Sequence, residues 1–273
     1  LLELCCAPHS YGRPILGWEN SLREMNPGGM RSYHHRRYQG ANCCLSVAGA
    51  LEEGLISHVL SSPLAALDTL MDSDQNTRTQ SSLSFHSGRQ CRTFPRLEAA
   101  RLMMVWPVAS ADDQLAIAGA DLATTILAEG RRSRLVQKLR EELQIVESID
   151  MDVTTLEQGS LVMLEACCPA EQIERVEMEI HQQLNSSLTT AITDEEFHRA
   201  LQLVGNGHRF SLEAPGAVAA SAGSQTLWGR HRDLLAPLQD LMHWNASTLR
   251  ERVMPLLQPQ RGFTLIAQPE DNA

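Results

Sequence analysis

Glu129-Gly130-Arg131-Arg132-Ser133-Arg134-Leu135, running on to Lys138-Leu139-Arg140-Glu141-Glu142, is the stretch on which the fold reading turns. It joins two helical patterns. Upstream, Ser110 and the acidic pair Asp112-Asp113 precede Leu115, Ile117, Ala118, Leu122, Ile126 and Leu127 at helical spacing. The acids suit the positive end of a helix, and Gly130 suits its stop. Downstream, Ser133 to Leu143 reads as a second helix.

Outward from this pair the pattern changes to strands. Residues 145–153 and 160–168 are apolar runs joined by a Gln158-Gly159 turn, and Arg89 to Leu97 and Arg101 to Val108 form an earlier pair. Pro169 opens a helix at its first turn, with Ile173, Val176, Ile180 and Leu184 on one face. Thr193-Asp194-Glu195-Glu196 is a capping box ahead of Phe197, Leu201 and Val204. Glu213-Ala214-Pro215 breaks that helix, Ala217 to Trp228 and Leu234 to Leu257 read as helical, and Gly262 to Ala267 reads as a closing strand. Strand pair, helix pair, strand pair, helices and strand is the order of an α+β two-layer sandwich, a mainly antiparallel sheet packed by helices. It is not the strict alternation of a doubly wound parallel fold.

The first seventy residues read as the tail of another α+β unit. Glu19 to Tyr38 has roughly helical spacing interrupted at Pro27-Gly28-Gly29, so a helix is expected to start near Pro27. Asn42 to Ala48 reads as a short apolar strand ending at Gly49, and Leu51 to Leu67 returns to a helical pattern. Residues 72–88 gather Ser, Thr, Asn, Gln and Asp, the composition of a linker. The expected division is therefore 1–71, a linker at 72–88, and a second α+β unit at 89–273.

Composition narrows the function classes. The chain has 273 residues and 43% hydrophobic side chains, enough for a sizeable core, and its net charge of −10 leaves 23 Lys+Arg with no basic stripe, which argues against a nucleic-acid partner. No apolar run reaches the roughly 18 residues of a membrane span. The chain opens on Leu1 and reads as a piece of a longer protein. Seven cysteines occur, six of them as the adjacent pairs Cys5-Cys6, Cys43-Cys44 and Cys167-Cys168, with Cys91 alone and no Cys-x-x-Cys spacing. They read as small reduced hydrophobes, which points to the cytoplasm or another reducing compartment.

Several short segments resemble the pitrilysin/insulinase family of zinc metallopeptidases. Residues 130–142 are similar to its G-x-x-S-R-L…L-R-E-E segment. His9-Ser10-Tyr11-Gly12-Arg13-Pro14-Ile15-Leu16-Gly17 is similar to H-P-Y-G-R-P-I-x-G. Tyr33, Tyr38, Asn42 and Val47-Ala48-Gly49 follow its Y-x-x-x-Y-x-x-x-N-x-x-x-x-V-x-G run, and Phe210-Ser211-Leu212-Glu213 resembles its F-S-L-E signature. The segments occur in the family's order over residues 8–268.

The resemblance implies two homologous α+β units per subunit, a peptide or unfolded protein as substrate, and a homologous or identical subunit as partner. It also implies a catalytic zinc in the first unit, on an inverted H-x-x-E-H helix. That motif is absent from this sequence, so no catalytic residue and no metal ligand is expected here, and zinc is expected in a preceding N-terminal part. The family-motif residues carried over are Tyr11, Gly12, Tyr38, Asn42, Gly49, Ser133, Arg134 and Leu135, all in structural roles. Arg134 is expected to bond the carbonyls freed where the long helix ends. The Arg and Tyr with which the family grips substrate backbone are also missing: Val218 and Ser224 or Gln225 stand where they are expected. The leading reading is the C-terminal portion of a zinc endopeptidase that helps enclose peptides. The other is a non-catalytic member acting as a partner or scaffold subunit.

Other clusters have plainer explanations. His34-His35 are adjacent on a helix and diverge by about 100°, so they do not converge on one ion. Glu195 and Glu196 sit in a first turn, where acids stabilise the helix. Arg131 and Arg132 read as solvated, and Trp106, Trp228 and Trp244 as packing residues.

Overall fold

The structure is a computed structural model describing residues 1–66 and 82–270. In chain order the helices are α1 (Leu2–Cys6), α2 (Glu19–Glu24), α3 (Pro27–Arg37), α4 (Leu55–Leu60), α5 (Gln114–Ala128), α6 (Ile173–Ser186), α7 (Asp194–Ser211), α8 (Pro215–Leu227), α9 (Ala236–Leu241) and α10 (Ala246–Arg252). The strands are β1 (Gly88–Phe94), β2 (Ala100–Val108), β3 (Ser148–Thr154), β4 (Ser160–Cys168) and β5 (Phe263–Pro269). Two compact units result, one from Leu1–Arg13, Ser81–Asn206 and Pro237–Ala273, the other from Pro14–Gln80 and Gly207–Ala236.

The first unit is built on one five-stranded sheet in the order β1-β5-β2-β4-β3. Three of its pairings are antiparallel, and only β1 runs parallel to β5. Alternation along the strands divides its side chains between two faces. Leu102, Met104 and Trp106 of β2, Val162, Leu164 and Ala166 of β4, and Ile149 and Met151 of β3 enter one core with the apolar sides of α5 and α6. Val105, Leu161, Phe263 and Leu265 lie in a second cluster on the other face, with Cys5 and Cys6 of α1 and the half-buried Tyr11. The sheet is therefore mainly antiparallel and helix-packed, as the order of elements predicts. The opening 13 residues belong to this unit.

Local chemistry sets the ends of these elements. Asp113 caps α5 by accepting the Ala116 N–H at 3.0 Å, and Gly130 takes φ +76° just past its end, a conformation that spares only glycine a steric cost. The capping box before α7 is present, with Thr193 N–H to Glu196 Oε2 at 2.8 Å and Glu196 N–H to Thr193 Oγ1 at 3.2 Å. Strand β4 has the bounds read from the sequence.

Other elements differ from the expectation. The second helix of the motif is a π-helix at Val136–Glu142, and Gln144 then takes φ 54°. Strand β3 accordingly starts at Ser148 and not at Ile145, whose side chain is buried. Pro169 precedes a short 3-10 turn, and α6 proper begins at Ile173. Strand β1 stops at Phe94 before Pro95. Residues 234–257 form α9, α10 and a 3-10 turn in place of one helix, because Asn245 makes a capping box with Thr248 that starts α10 afresh and Pro255 ends regular helix.

The second unit holds α2, α3, α4 and α8. Pro27 stands at the first position of α3, where the sequence places the helix start, and Asn26 caps it by accepting the Gly29 N–H at 2.9 Å. The expected strand at 42–48 is not formed: Gly40–Asn42 is a 3-10 turn, and Cys44–Ala48 make no backbone hydrogen bond among the described residues. A strand needs a neighbour for its ladder, and none stands beside this segment among those residues. The expected helix at 51–67 is reduced to α4 and a 3-10 turn at Pro63–Ala66, because Gly54 at φ +100° and Pro63 interrupt it. Leu67 and residues 72–81 of the expected linker lie outside the described residues. Leu83 donates its N–H to Gln158 O at 3.1 Å, so the described end of that stretch is docked on the first unit.

Candidate functional site

The residues singled out by motif fall into three places in the fold. Arg134, just before the π-helix, forms a two-point ion pair with Glu196 of α7, Nε to Oε1 at 2.6 Å and Nη2 to Oε2 at 2.9 Å. Its Nη2 also donates to Ala191 O at 2.9 Å. Burial alone would raise the Glu196 carboxyl, but hydrogen bonds from Arg134 and the Thr193 N–H, together with the guanidinium charge, hold it below the ordinary range. Ser133 is fully buried and donates its hydroxyl to Gly130 O at 2.7 Å, and Leu135 is buried in the main core. The expected role of Arg134 at the end of α5 belongs to Arg199 instead, whose guanidinium donates to Glu129 O at 2.8 Å and Thr125 O at 3.2 Å. Arg134 is drawn to a carboxylate because a charged acceptor outbids a neutral carbonyl.

The second place is the turn before β4. Tyr11 accepts the Gln158 N–H on its hydroxyl at 3.0 Å and packs edge-on against His9 with centroids 4.5 Å apart. His9 Nδ1 accepts the Tyr11 N–H, so the neutral ring carries its proton on Nε2 and donates to Gln158 Oε1 at 2.7 Å. Gly12 is buried where a Cβ would stand 2.9 Å from Ala7 N. These contacts fasten the opening segment to the β3–β4 hairpin. Sequence places Gln158 only in a turn, and its bonding role is not legible there because its partners lie about 150 positions away.

The third group lies in the second unit. Tyr38 is exposed and stacks on His34 at 4.4 Å, Asn42 donates to Arg37 O at 2.9 Å, and Gly49 takes φ +140° with open space around it. The three groups sit on separate elements, and no nucleophile with a matching base is assembled from them.

Beyond the motifs, Arg89 of β1 pairs with Glu177 of α6 at 2.8 and 2.9 Å, one turn before His181. Among the described residues, His181 Nε2 and Gln225 Oε1 are buried polar atoms without a partner. Burial pushes the His181 imidazole below its ordinary value, so the ring is neutral near pH 7. On the sheet face away from α5, Asp150 stands opposite Glu165, which pairs with Arg101. Burial, then Glu165 and Asp152, raise the Asp150 carboxyl. The remaining candidates are ordinary. Glu195 pairs with Arg132 at the surface, His198 donates Nδ1–H to Asp194 O, and Trp106 and Trp244 donate to Gln258 O and Leu115 O at 2.9 and 3.0 Å.

Zinc needs at least three converging protein donors, and among the described residues no group of three or more His, Cys, Asp or Glu is placed to hold a metal ion. These residues do not fit the metal. Nor, among them, is any helix long and apolar enough to cross a membrane.

Comparison with known proteins agrees with this geometry. Residues 25–204 match the family model described as the peptidase M16 inactive domain. The chain is 22% identical to YmxG of Bacillus subtilis, described as an uncharacterized zinc protease, over 95% of this chain and 62% of that protein. It is likewise 22% identical to the uncharacterized zinc protease ML0855 of Mycobacterium leprae, over 94% of this chain and 58% of that protein. The chain thus spans about three fifths of the length of these relatives. Among solved structures, the peptidase M16 inactive domain from Pseudomonas fluorescens superposes with a TM-score of 0.78 at 14% identity, covering 98% of this chain and 64% of that one. With the family model matched over most of its length, the chain belongs to the peptidase M16 family of pitrilysin-type peptidases and carries that family's inactive domain.

Proposed function

We propose that this chain is the C-terminal portion of a zinc-dependent metalloendopeptidase, that it helps to enclose peptide substrates, and that it does not cleave them by itself. The observation that supports this best is the surface of the second unit. None of residues 14–65 is buried, and Ile15, Leu16, Met30, Leu45, Ile56 and Leu60 are all more than half exposed. Apolar area on that scale marks a surface that a further part of the assembly covers. The unpaired segment 44–48 supports the same reading, as does the two-fifths of each relative that lies beyond the match. Zinc belongs, on this reading, to that further part, and a homologous or identical subunit is the expected partner.

A non-catalytic scaffold role is the second reading, favoured by α8. That helix has neither Arg nor Tyr, only Val218, Ser224 and Gln225 where the backbone grip is expected. One experiment separates the two. The coding sequence adjoining Leu1 is read and the extended polypeptide is assayed on a quenched peptide, with and without a chelator. Chelator-sensitive cleavage by the extended protein, and none by residues 1–273, is the expected result. Cleavage or one tightly held zinc in the 273-residue chain overturns the proposal, and an extended polypeptide lacking H-x-x-E-H and inert by itself selects the scaffold.

A further inference from the structure

The fold treats the three vicinal cysteine pairs differently. Cys167 and Cys168 are consecutive residues of β4, so they point to opposite faces: Cys168 lies in the helix-side core, and Cys167 reaches the Glu147 carboxylate at 3.7 Å. Cys43 has an extended backbone at φ −129°, ψ 147°, which again directs neighbouring side chains apart. Cys5 and Cys6 lie in helical α1, and their sulfurs converge to 3.7 Å. Both are fully buried against Val105, Leu161, Phe263 and Leu265.

That spacing suits a bridge by one atom better than a disulfide. Two sulfurs held at about 2.3 Å by one bridging atom stand roughly 3.3 to 3.8 Å apart, the smaller value for the narrower angle at pyramidal trivalent arsenic, so the pair closes with little movement. A disulfide needs sulfurs at about 2.05 Å and Cα atoms at least ~4.4 Å apart, whereas adjacent residues hold their Cα atoms at ~3.8 Å. Zinc would need further ligands, and among the described residues none joins the pair. A trivalent arsenical brings its own third substituent and needs only two sulfurs.

We propose that Cys5 and Cys6 form a chelating dithiol site for trivalent arsenicals. An arsenoxide R–As=O reacts with both thiols: two As–S bonds form, two S–H bonds and the arsenic–oxygen bond break, and both protons leave with the oxygen as water. Arsenic stays trivalent and no oxidant is required. The contact between the two sulfurs draws the ionisation of Cys6 down against the effect of burial, which favours Cys6 as the attacking sulfur. The same bond and burial hold the Cys5 proton in place. Access requires α1 to lift from the sheet face, which bares both sulfurs together.

The test is to treat the reduced 273-residue chain with phenylarsine oxide and map the adduct by mass spectrometry. The expected product carries one phenylarsine bridging both thiols of the Leu1–Arg23 peptide, with loss of one water. It resists excess 2-mercaptoethanol and is removed by 2,3-dimercaptopropanol. Cys5→Ser and Cys6→Ala each abolish the monothiol-resistant adduct there, while Cys43→Ser with Cys44→Ser retains it. An adduct found only at residues 43–44 or 167–168 overturns the proposal, and so does a Cys5→Ser chain labelled at Cys6 as stably as the parent.

Discussion

Arg134 and Glu196 meet side by side, the guanidinium Nε and Nη2 facing the two carboxylate oxygens at 2.6 and 2.9 Å, with 13% and 22% of the side chains exposed. Glu196 is also the third-position acid of the α7 capping box, so one carboxylate serves a helix start and an interelement clamp together. Ala191 O completes the set from the turn between α6 and α7.

Arg134→Lys is expected to destabilise the first unit by about 1–3 kcal/mol, because an ammonium cannot supply the planar two-point contact and leaves a partly buried acceptor unmet. Thermal melting of parent and variant measures it. An unchanged midpoint would show that the pair is a surface ornament of the motif.

Arg199→Ala removes the two donors that close the end of α5 at Thr125 O and Glu129 O. The loss should be about 1–2 kcal/mol by urea denaturation. Arg134→Lys should leave the amide exchange of the last turn of α5 unchanged, since Arg134 donates elsewhere. Faster exchange in that turn in the Arg134 variant would reverse the assignment.

Asp121 of α5 has its carboxyl pushed up to about 6, first by burial and then by Glu129. Its folded pKa lies above the unfolded value, so the folded state holds the proton more tightly. That contribution is full below about pH 4 and is lost as pH rises through about 6. Asp121→Asn should therefore flatten the decline in stability between pH 4 and 7 and raise stability at pH 7 by of the order of 1–3 kcal/mol. Melting curves across that range decide it, and a parent more stable than the variant at pH 7 contradicts the account.

Two helical glycines should respond with opposite sign. A Cβ at Gly119 would stand 2.4 Å from the Trp244 ring, which is anchored by its bond to Leu115 O, so Gly119→Ala should cost about 1–3 kcal/mol. Gly207 in α7 has nothing within 4 Å of that position, and Gly207→Ala should stabilise by about 0.5–1 kcal/mol. Denaturant midpoints of the two variants shifting in the same direction would show the ring contact to be soft.

Much of the first unit was legible before any coordinates. Asp113, Gly130 and the Thr193–Glu196 box act within a few residues of themselves, and a cap or a left-handed glycine works wherever the chain goes afterwards. The same holds for Pro27 at the start of α3. Strand β4 is legible as an apolar run because both of its faces meet apolar cores. The motif segments carry the family but not the partners of their residues: Arg134 meets Glu196, and the carbonyls at the end of α5 go to Arg199.

By itself the sequence determined the local events, the α+β order of elements, the family resemblance, and the lack of an H-x-x-E-H helix. Each of these depends on residues a few positions apart. The tertiary structure alone decided which carboxylate Arg134 meets, that Gln158 receives His9 and Tyr11, that residues 44–48 have no ladder among the described residues, and that of three vicinal thiol pairs only Cys5 and Cys6 converge. Partners brought together from about 60 to 150 positions away are selected by packing, which no local pattern encodes. The direction of a side chain, likewise, follows from whether its backbone is helical or extended.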